Sequence, residues 1–181
     1  TLFLALFLLA HSLIPINELI MWGAEFKMTA RDLFPSLYFI PAIAYYIDGA
    51  LLFLCFKSLV FRDFSLTKND LLHLAPLVTY GIFIWTAFYS QSETHRLEMI
   101  NSESFVYSAN YVYMEFFSKG VRAIYAIACV VLISRYSYRL QDTNSNMEKV
   151  HISWLRALVI GFLVVMVSET ILAGAKIINV F

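Results

Sequence analysis

Long apolar segments alternate with short polar ones along the chain. Five of them meet or approach the roughly 20 residues that a helix needs to cross a hydrocarbon core about 30 Å thick. They are Leu2–Trp22, Phe34–Phe56, Leu71–Tyr89, Val121–Tyr138 and Trp154–Phe181. No alternating strand pattern of barrel length recurs. The pattern therefore predicts an all-α, polytopic transmembrane helical bundle with about five spans.

The connections between these segments are short, with one exception. Gly23–Leu33, Lys57–Asp70 and Arg139–Ser153 each join two spans directly, whereas Ser90–Gly120 is much longer. Its second half is aromatic with polar interruptions, a composition typical of a helix that lies at the membrane interface. A slight excess of Lys and Arg near the second and third short connections favours a cytoplasmic position for both, and for the N-terminus.

Composition agrees with a membrane domain and excludes several other classes. The 181 residues are 60% hydrophobic and 14% charged, whereas soluble domains carry about 25% charged residues. Basic and acidic residues balance at 13 each, so the chain lacks the basic excess of a nucleic-acid surface. Cys55 and Cys129 lie in apolar runs, the four histidines fall on different elements, and no catalytic motif is present. We therefore expect neither enzymatic activity nor a metal or cofactor site.

Ionisable residues inside the predicted spans are the first candidates for function, because such groups are costly in lipid and tend to face the bundle interior. They are Glu18 in the first span, Glu115, Lys119 and Arg122 at the entry of the fourth, and Glu169 and Lys176 in the fifth. Their helical spacing lines one face of each helix, so we expect them to meet in the outer half of the bundle. Two interpretations stay open: a pocket for a charged or polar small molecule, or a self-neutralising network that sets helix register.

Asp48 differs from this group because it lies in the inner half of the second predicted span, without a charged neighbour in that segment. It is either a proton-linked group, as in a transporter, or a carboxyl that is protonated or bonded to a neighbouring helix.

The aromatic half of the long connection provides a second candidate surface. Tyr111, Tyr113 and Phe116 could clamp an apolar or amphipathic ligand against the membrane surface. The alternative is an interfacial helix that seals the bundle.

Two stretches carry a resemblance to a known family. The run Tyr46–Leu59, with Asp48-Gly49 before a Leu-rich segment and Lys57-Ser58-Leu59 after it, is followed by Leu72-His73-Leu74-Ala75-Pro76. The linker Asn144–Arg156 contains Ser145-Asn146-Met147-Glu148 and then Trp154-Leu155. Both resemble the membrane-embedded N-terminal half of AraC-type transcription regulators. Ala50 stands where that family commonly has proline, and Asn144 where it usually has tyrosine.

The resemblance implies that residues 1–181 form the transmembrane sensor domain of a one-component regulator in the bacterial inner membrane. Its helix-turn-helix domain would lie beyond Phe181, so that DNA would be a partner only through that domain. The remaining expected partners are the lipid bilayer and an unidentified small-molecule or membrane signal, and a homodimer is left open. A sensor of a histidine kinase or cyclase, or half of a small transporter, remains an alternative.

Overall fold

The computed structural model describes residues 2–61, 63–141, 157, 159–171 and 174. These residues are mainly helical, and none of them forms a strand. The helices are α1 (Leu2–Trp22), α2 (Ala24–Leu33), α3 (Ala44–Val60), α4 (Ala75–Ile84), α5 (Glu93–Asn101), α6 (Ala109–Gln141) and α7 (Val159–Ile171). Short helical turns extend two of these helices: Pro35–Leu37 and Pro41–Ile43 precede α3, Lys68–Leu74 precedes α4, and Trp85–Tyr89 follows it.

Four helical segments are long and apolar enough to cross a membrane: Leu2–Trp22, Pro35–Val60, Lys68–Tyr89 and Ala109–Tyr136. They correspond to the first four predicted spans, which confirms the prediction of a polytopic transmembrane helical bundle. Of the fifth predicted span, the structure describes α7, and the flanking residues of Trp154–Phe181 lie mostly outside the described residues.

The second span is the central helix of the bundle. Of its most apolar 18-residue window, 67% is buried, whereas the corresponding share is at most 33% in the other three spans. Helix α3 packs mainly against α1 and α6. The outer helices expose large apolar side chains such as Leu9, Ile82 and Ile124. Because an exposed apolar surface of this extent is unfavourable in water, we assign these faces to lipid.

Two apolar clusters form the interior. The first cluster is aromatic and contains Tyr38, Phe39, Tyr45, Tyr46, Tyr80, Phe88 and Phe105 together with aliphatic residues of α1 and α4. The second cluster contains Phe7, Leu52, Phe56, Cys129, Ile133 and Val159. Along α3 and α6 the chain passes from the first cluster to the second, and along α1 it passes in the opposite direction. This alternation places the connection between Val60 and Lys68 at the second cluster's end of the bundle.

The start of α6 differs from the sequence prediction. The sequence predicts Val121–Tyr138 as the fourth span, preceded by a separate interfacial helix. Instead, one continuous helix runs from Ala109 to Gln141 and includes most of the aromatic half of Ser90–Gly120. The expectation of an interfacial helix is therefore wrong. Polar residues near the start of α6 lower the mean hydropathy of this segment. Two of them, Ser118 and Lys119, are nevertheless buried in the bundle, and Lys119 lies beside Glu169.

Candidate functional site: a buried charge network and a polar cavity

The guanidinium group of Arg122 lies at the centre of a buried charge network. Its Nε donates to both carboxylate oxygens of Asp48, at 3.1 and 3.0 Å, and its Nη2 lies 3.0 Å from Asp48 Oδ2. Its Nη1 donates to Glu169 Oε2. The side chains of Arg122 and Asp48 are fully buried. One cation therefore joins α3, α6 and α7 through two carboxylates.

A second cation extends the network toward α1. Lys119 Nζ lies 3.7 Å from Glu169 Oε2 and 4.7 Å from the centre of the Tyr45 ring. The Arg122 guanidinium approaches the same ring, at 5.2 Å. The Tyr45 hydroxyl donates to Glu18 Oε1. Tyr45 thus presents its ring to the two cations and its hydroxyl to a carboxylate, which links α1 to the network.

His11 lies at the edge of the network. Its Nδ1 is 3.5 Å from Asp48 Oδ2, and its ring stacks on Phe7 with a centroid distance of 5.4 Å. His11 thus brings α1 to the same carboxylate that Arg122 holds.

The network lies near the middle of two spans. Asp48 is 13 residues from Pro35, the start of its 26-residue span, and Arg122 is 13 residues from Ala109, the start of its 28-residue span. At 1.5 Å per residue, Arg122 lies roughly 20 Å along α6. At this depth an unpaired charge would be strongly unfavourable.

Gly49 allows the two helices to approach at this level. A Cβ atom at Gly49 would lie 3.2 Å from Tyr125 Cβ and 3.4 Å from Arg122 Cα. Small residues let membrane helices pack backbone to backbone. A larger residue would separate α3 from α6 and lengthen the contact between Asp48 and Arg122.

A polar cavity of about 40 Å³ lies beside the network, within the first apolar cluster. We call it the tyrosine cavity, because four tyrosines line it. Its lining consists of Asn17, Glu18, Met21, Trp22, Ala42, Tyr45, Tyr46, Tyr80, Tyr111, Glu115, Ser118 and Lys119. Asn17 is 5% exposed, and its Oδ1 accepts no hydrogen bond in the structure. The cavity therefore combines carboxylates, aromatic rings and a buried acceptor.

The structure brings together most of the predicted charge cluster. Glu18, Lys119, Arg122 and Glu169 lie in one connected group, and Glu115 lines the adjoining cavity. Lys176 lies outside the described residues.

The predicted aromatic surface divides into two parts. Tyr111 packs against Phe39 and Phe105, with ring centroids 5.8 and 5.3 Å apart, and lines the cavity. Tyr113 is 68% exposed, whereas Phe116 is 38% exposed and its Cζ would lie 3.9 Å from a Cβ at Gly174. The three side chains do not form one clamp.

Asp48, Tyr45, His11 and Asn17 were absent from the predicted site. The sequence singled out Asp48 but placed it at a different depth from Arg122, because the predicted fourth span began too late. Of the two interpretations of Asp48, the structure supports a bond to a neighbouring helix. Asn17 could have been recognised from the sequence, because it lies next to Glu18 in a mainly apolar segment. The roles of Tyr45 and His11 could not, because they follow from contacts with residues of other helices.

No family model, curated protein or solved structure matches this chain. The class that the coordinates define is a polytopic transmembrane helical bundle with a buried charge network.

Proposed function

We propose that the chain is the membrane-embedded sensor domain of a bacterial one-component transcription regulator of the AraC type. The Tyr46–Leu59 and Asn144–Arg156 stretches support the family, through the resemblance stated above. The signal would act on the bundle, and a helix-turn-helix domain beyond Phe181 would carry the response to DNA. The cytoplasmic membrane is the proposed location.

The observation that carries the proposal is the position of Arg122. It joins three helices at mid-depth, and Lys119 and Tyr45 connect it to a fourth. A ligand shifts a conformational equilibrium only by its differential affinity for two states. Each charged group in the network pairs with a particular partner. We propose that the signal changes these pairings and so shifts α6 and α7 from one packing arrangement to a second. Arg139–Trp154, which links the fourth and fifth predicted spans, is the proposed exit for the signal.

The test uses the full-length protein and a transcriptional reporter for its target promoter. We expect Arg122→Gln to hold the reporter at one level, with or without signal, while the protein remains in the membrane at the normal amount. Arg31→Gln is the matched control, because Arg31 pairs with Asp32 on an exposed part of α2. A kinase or cyclase core encoded beyond Phe181, in place of a helix-turn-helix, would contradict the AraC assignment.

A small transporter is the second candidate, and one observation favours it. His11, Asp48 and Arg122 form a chain of polar groups near mid-depth, an arrangement used by proton-coupled carriers. Protein reconstituted in liposomes would then move protons together with a solute. Loss of that flux in Asp48→Asn would support the transporter, and its absence in the unaltered protein would exclude proton coupling.

A further inference from the structure

The tyrosine cavity has the chemistry of a cation site. Glu18 and Glu115 supply carboxylates, and Asn17 supplies an oxygen acceptor that is buried and accepts no hydrogen bond in the structure. Tyr45, Tyr46, Tyr80 and Tyr111 supply aromatic rings, whose faces attract cations. A buried acceptor without a donor is unfavourable, so Asn17 indicates that a hydrogen-bond donor occupies this space.

Lys119 shows what kind of cation the lining accepts. Its ammonium lies 4.7 Å from the centre of the Tyr45 ring and 3.7 Å from a carboxylate oxygen of Glu169. Ring and carboxylate together thus already hold one alkylammonium group, beside the space that the cavity leaves open.

We infer that the tyrosine cavity binds a small primary amine, whose ammonium donates to Asn17 Oδ1 and the Glu18 carboxylate while its alkyl part contacts the tyrosine rings. A volume of about 40 Å³ exceeds the 10–15 Å³ or so that one water needs and limits the ligand to a few non-hydrogen atoms. That the amine is the signal rests on the proposed sensor function, whereas binding itself does not.

The test uses the full chain purified in detergent, with ethylammonium, ethanol and acetate as probes at constant ionic strength. Saturation-transfer NMR on the methyl group of each probe reports its binding. A ligand of three non-hydrogen atoms binds no more tightly than about the millimolar range, so each titration covers that range. We expect saturable binding of ethylammonium and none of the neutral or anionic probe.

Glu18→Gln should weaken ethylammonium binding at least tenfold, because it removes the charge and retains the shape. Glu98→Gln is the matched control, since Glu98 is exposed on α5, and its affinity should equal that of the unaltered chain. Asn17→Asp adds a carboxylate and should strengthen binding severalfold, which provides a second variant if Glu18→Gln fails to fold.

Equal binding of ethanol or acetate, no saturable signal from ethylammonium, or unchanged affinity in a folded Glu18→Gln would each overturn the inference. If ethylammonium gives no saturable signal, the cavity holds water only. Amine binding without a reporter response to ethylammonium would show that the amine is not the signal, and would leave the amine site in place. A reporter response to another signal, without amine binding, would contradict only the amine site.

Discussion

Arg122 and Asp48 form a bidentate contact between α6 and α3, with Nε of the arginine 3.1 and 3.0 Å from the two carboxylate oxygens. Both side chains are fully buried. Removal of two charges from water is costly, so such a pair contributes less to stability than its Coulomb energy suggests. Removal of one partner, however, leaves the other buried charge with fewer partners.

The first prediction concerns this asymmetry. Asp48→Leu or Arg122→Leu should each lower the free energy of unfolding, by up to about 3–5 kcal/mol, because each removes one member of the buried charge pair. Glu169 still pairs with Arg122 in the first variant, and Lys119 still lies beside Glu169 in the second. The double variant should recover a large part of that loss. Reversible unfolding in mixed micelles measures the free energy of unfolding of the two single variants and the double variant. Arg31→Leu and Asp32→Leu, singly and together, provide the control with an exposed pair, whose interaction energy should not exceed about 1 kcal/mol. If the loss in the Asp48→Leu, Arg122→Leu double variant equals the sum of the two single losses, the two side chains do not interact directly.

The second prediction tests the close approach of the helices at Gly49. Gly49→Leu should destabilise the bundle and separate Asp48 from Arg122, because the added side chain would overlap Tyr125. A cost of at least about 1–3 kcal/mol is expected from overpacking. Gly120→Leu, on α6, is the matched control, because a Cβ at Gly120 meets nothing within 4 Å. Equal unfolding free energies for the two variants would show that the approach at Gly49 does not matter.

A third prediction separates the hydroxyl of Tyr45 from its ring. Tyr45→Phe retains the ring beside Lys119 and Arg122 but removes the donor to Glu18. A hydrogen bond to a charged group contributes about 1.5–3 kcal/mol, so thermal unfolding should show a loss of that order. Tyr45→Leu, which removes the ring as well, should lose more. Equal losses would show that the ring contributes nothing to holding the cations.

The fourth prediction distinguishes two tyrosines that the sequence placed on one surface. Tyr111→Ala should lower the unfolding free energy by about 3 kcal/mol or more, because it opens a cavity beside Phe39 and Phe105. Tyr113→Ala should leave stability nearly unchanged, because that side chain is 68% exposed. A signal response lost in Tyr111→Ala but retained in Tyr113→Ala would support a role for the cavity, and the reverse result would support the outer face of α6.

The fifth prediction concerns topology. Ser65 lies in the connection between α3 and the third span, and Asn101 ends α5, beyond that span. A cysteine at each position should be labelled from opposite sides by a membrane-impermeant reagent, with Asn101 on the periplasmic side. Cys55 and Cys129 are buried, so the unaltered chain provides the background. Labelling of both positions from the periplasm would contradict the predicted orientation.

The sequence alone determined the architecture. Hydropathy identified the four spans that the structure contains, because a span must be apolar over its whole length whatever it packs against. The same reasoning picked out Lys119 and Arg122, which are buried, and their partner Glu169, because lipid does not tolerate unpaired charges. It also picked out Glu18, which is exposed and joins the network through the Tyr45 hydroxyl. It also marked Asp48 as unusual.

Tertiary structure decided how these charges pair. The prediction assigned Arg122 to the entry of its helix, because the polar residues after Ala109 were counted as interfacial. Ser118 and Lys119 are buried in the structure, and α6 begins about three turns earlier than predicted, which brings Arg122 to the level of Asp48. The ring of Tyr45, the acceptor of Asn17 and the approach at Gly49 likewise depend on neighbouring helices. Hydropathy reports the preference of one helix for lipid, whereas pairing depends on the relative height and rotation of several helices, which only their packing sets.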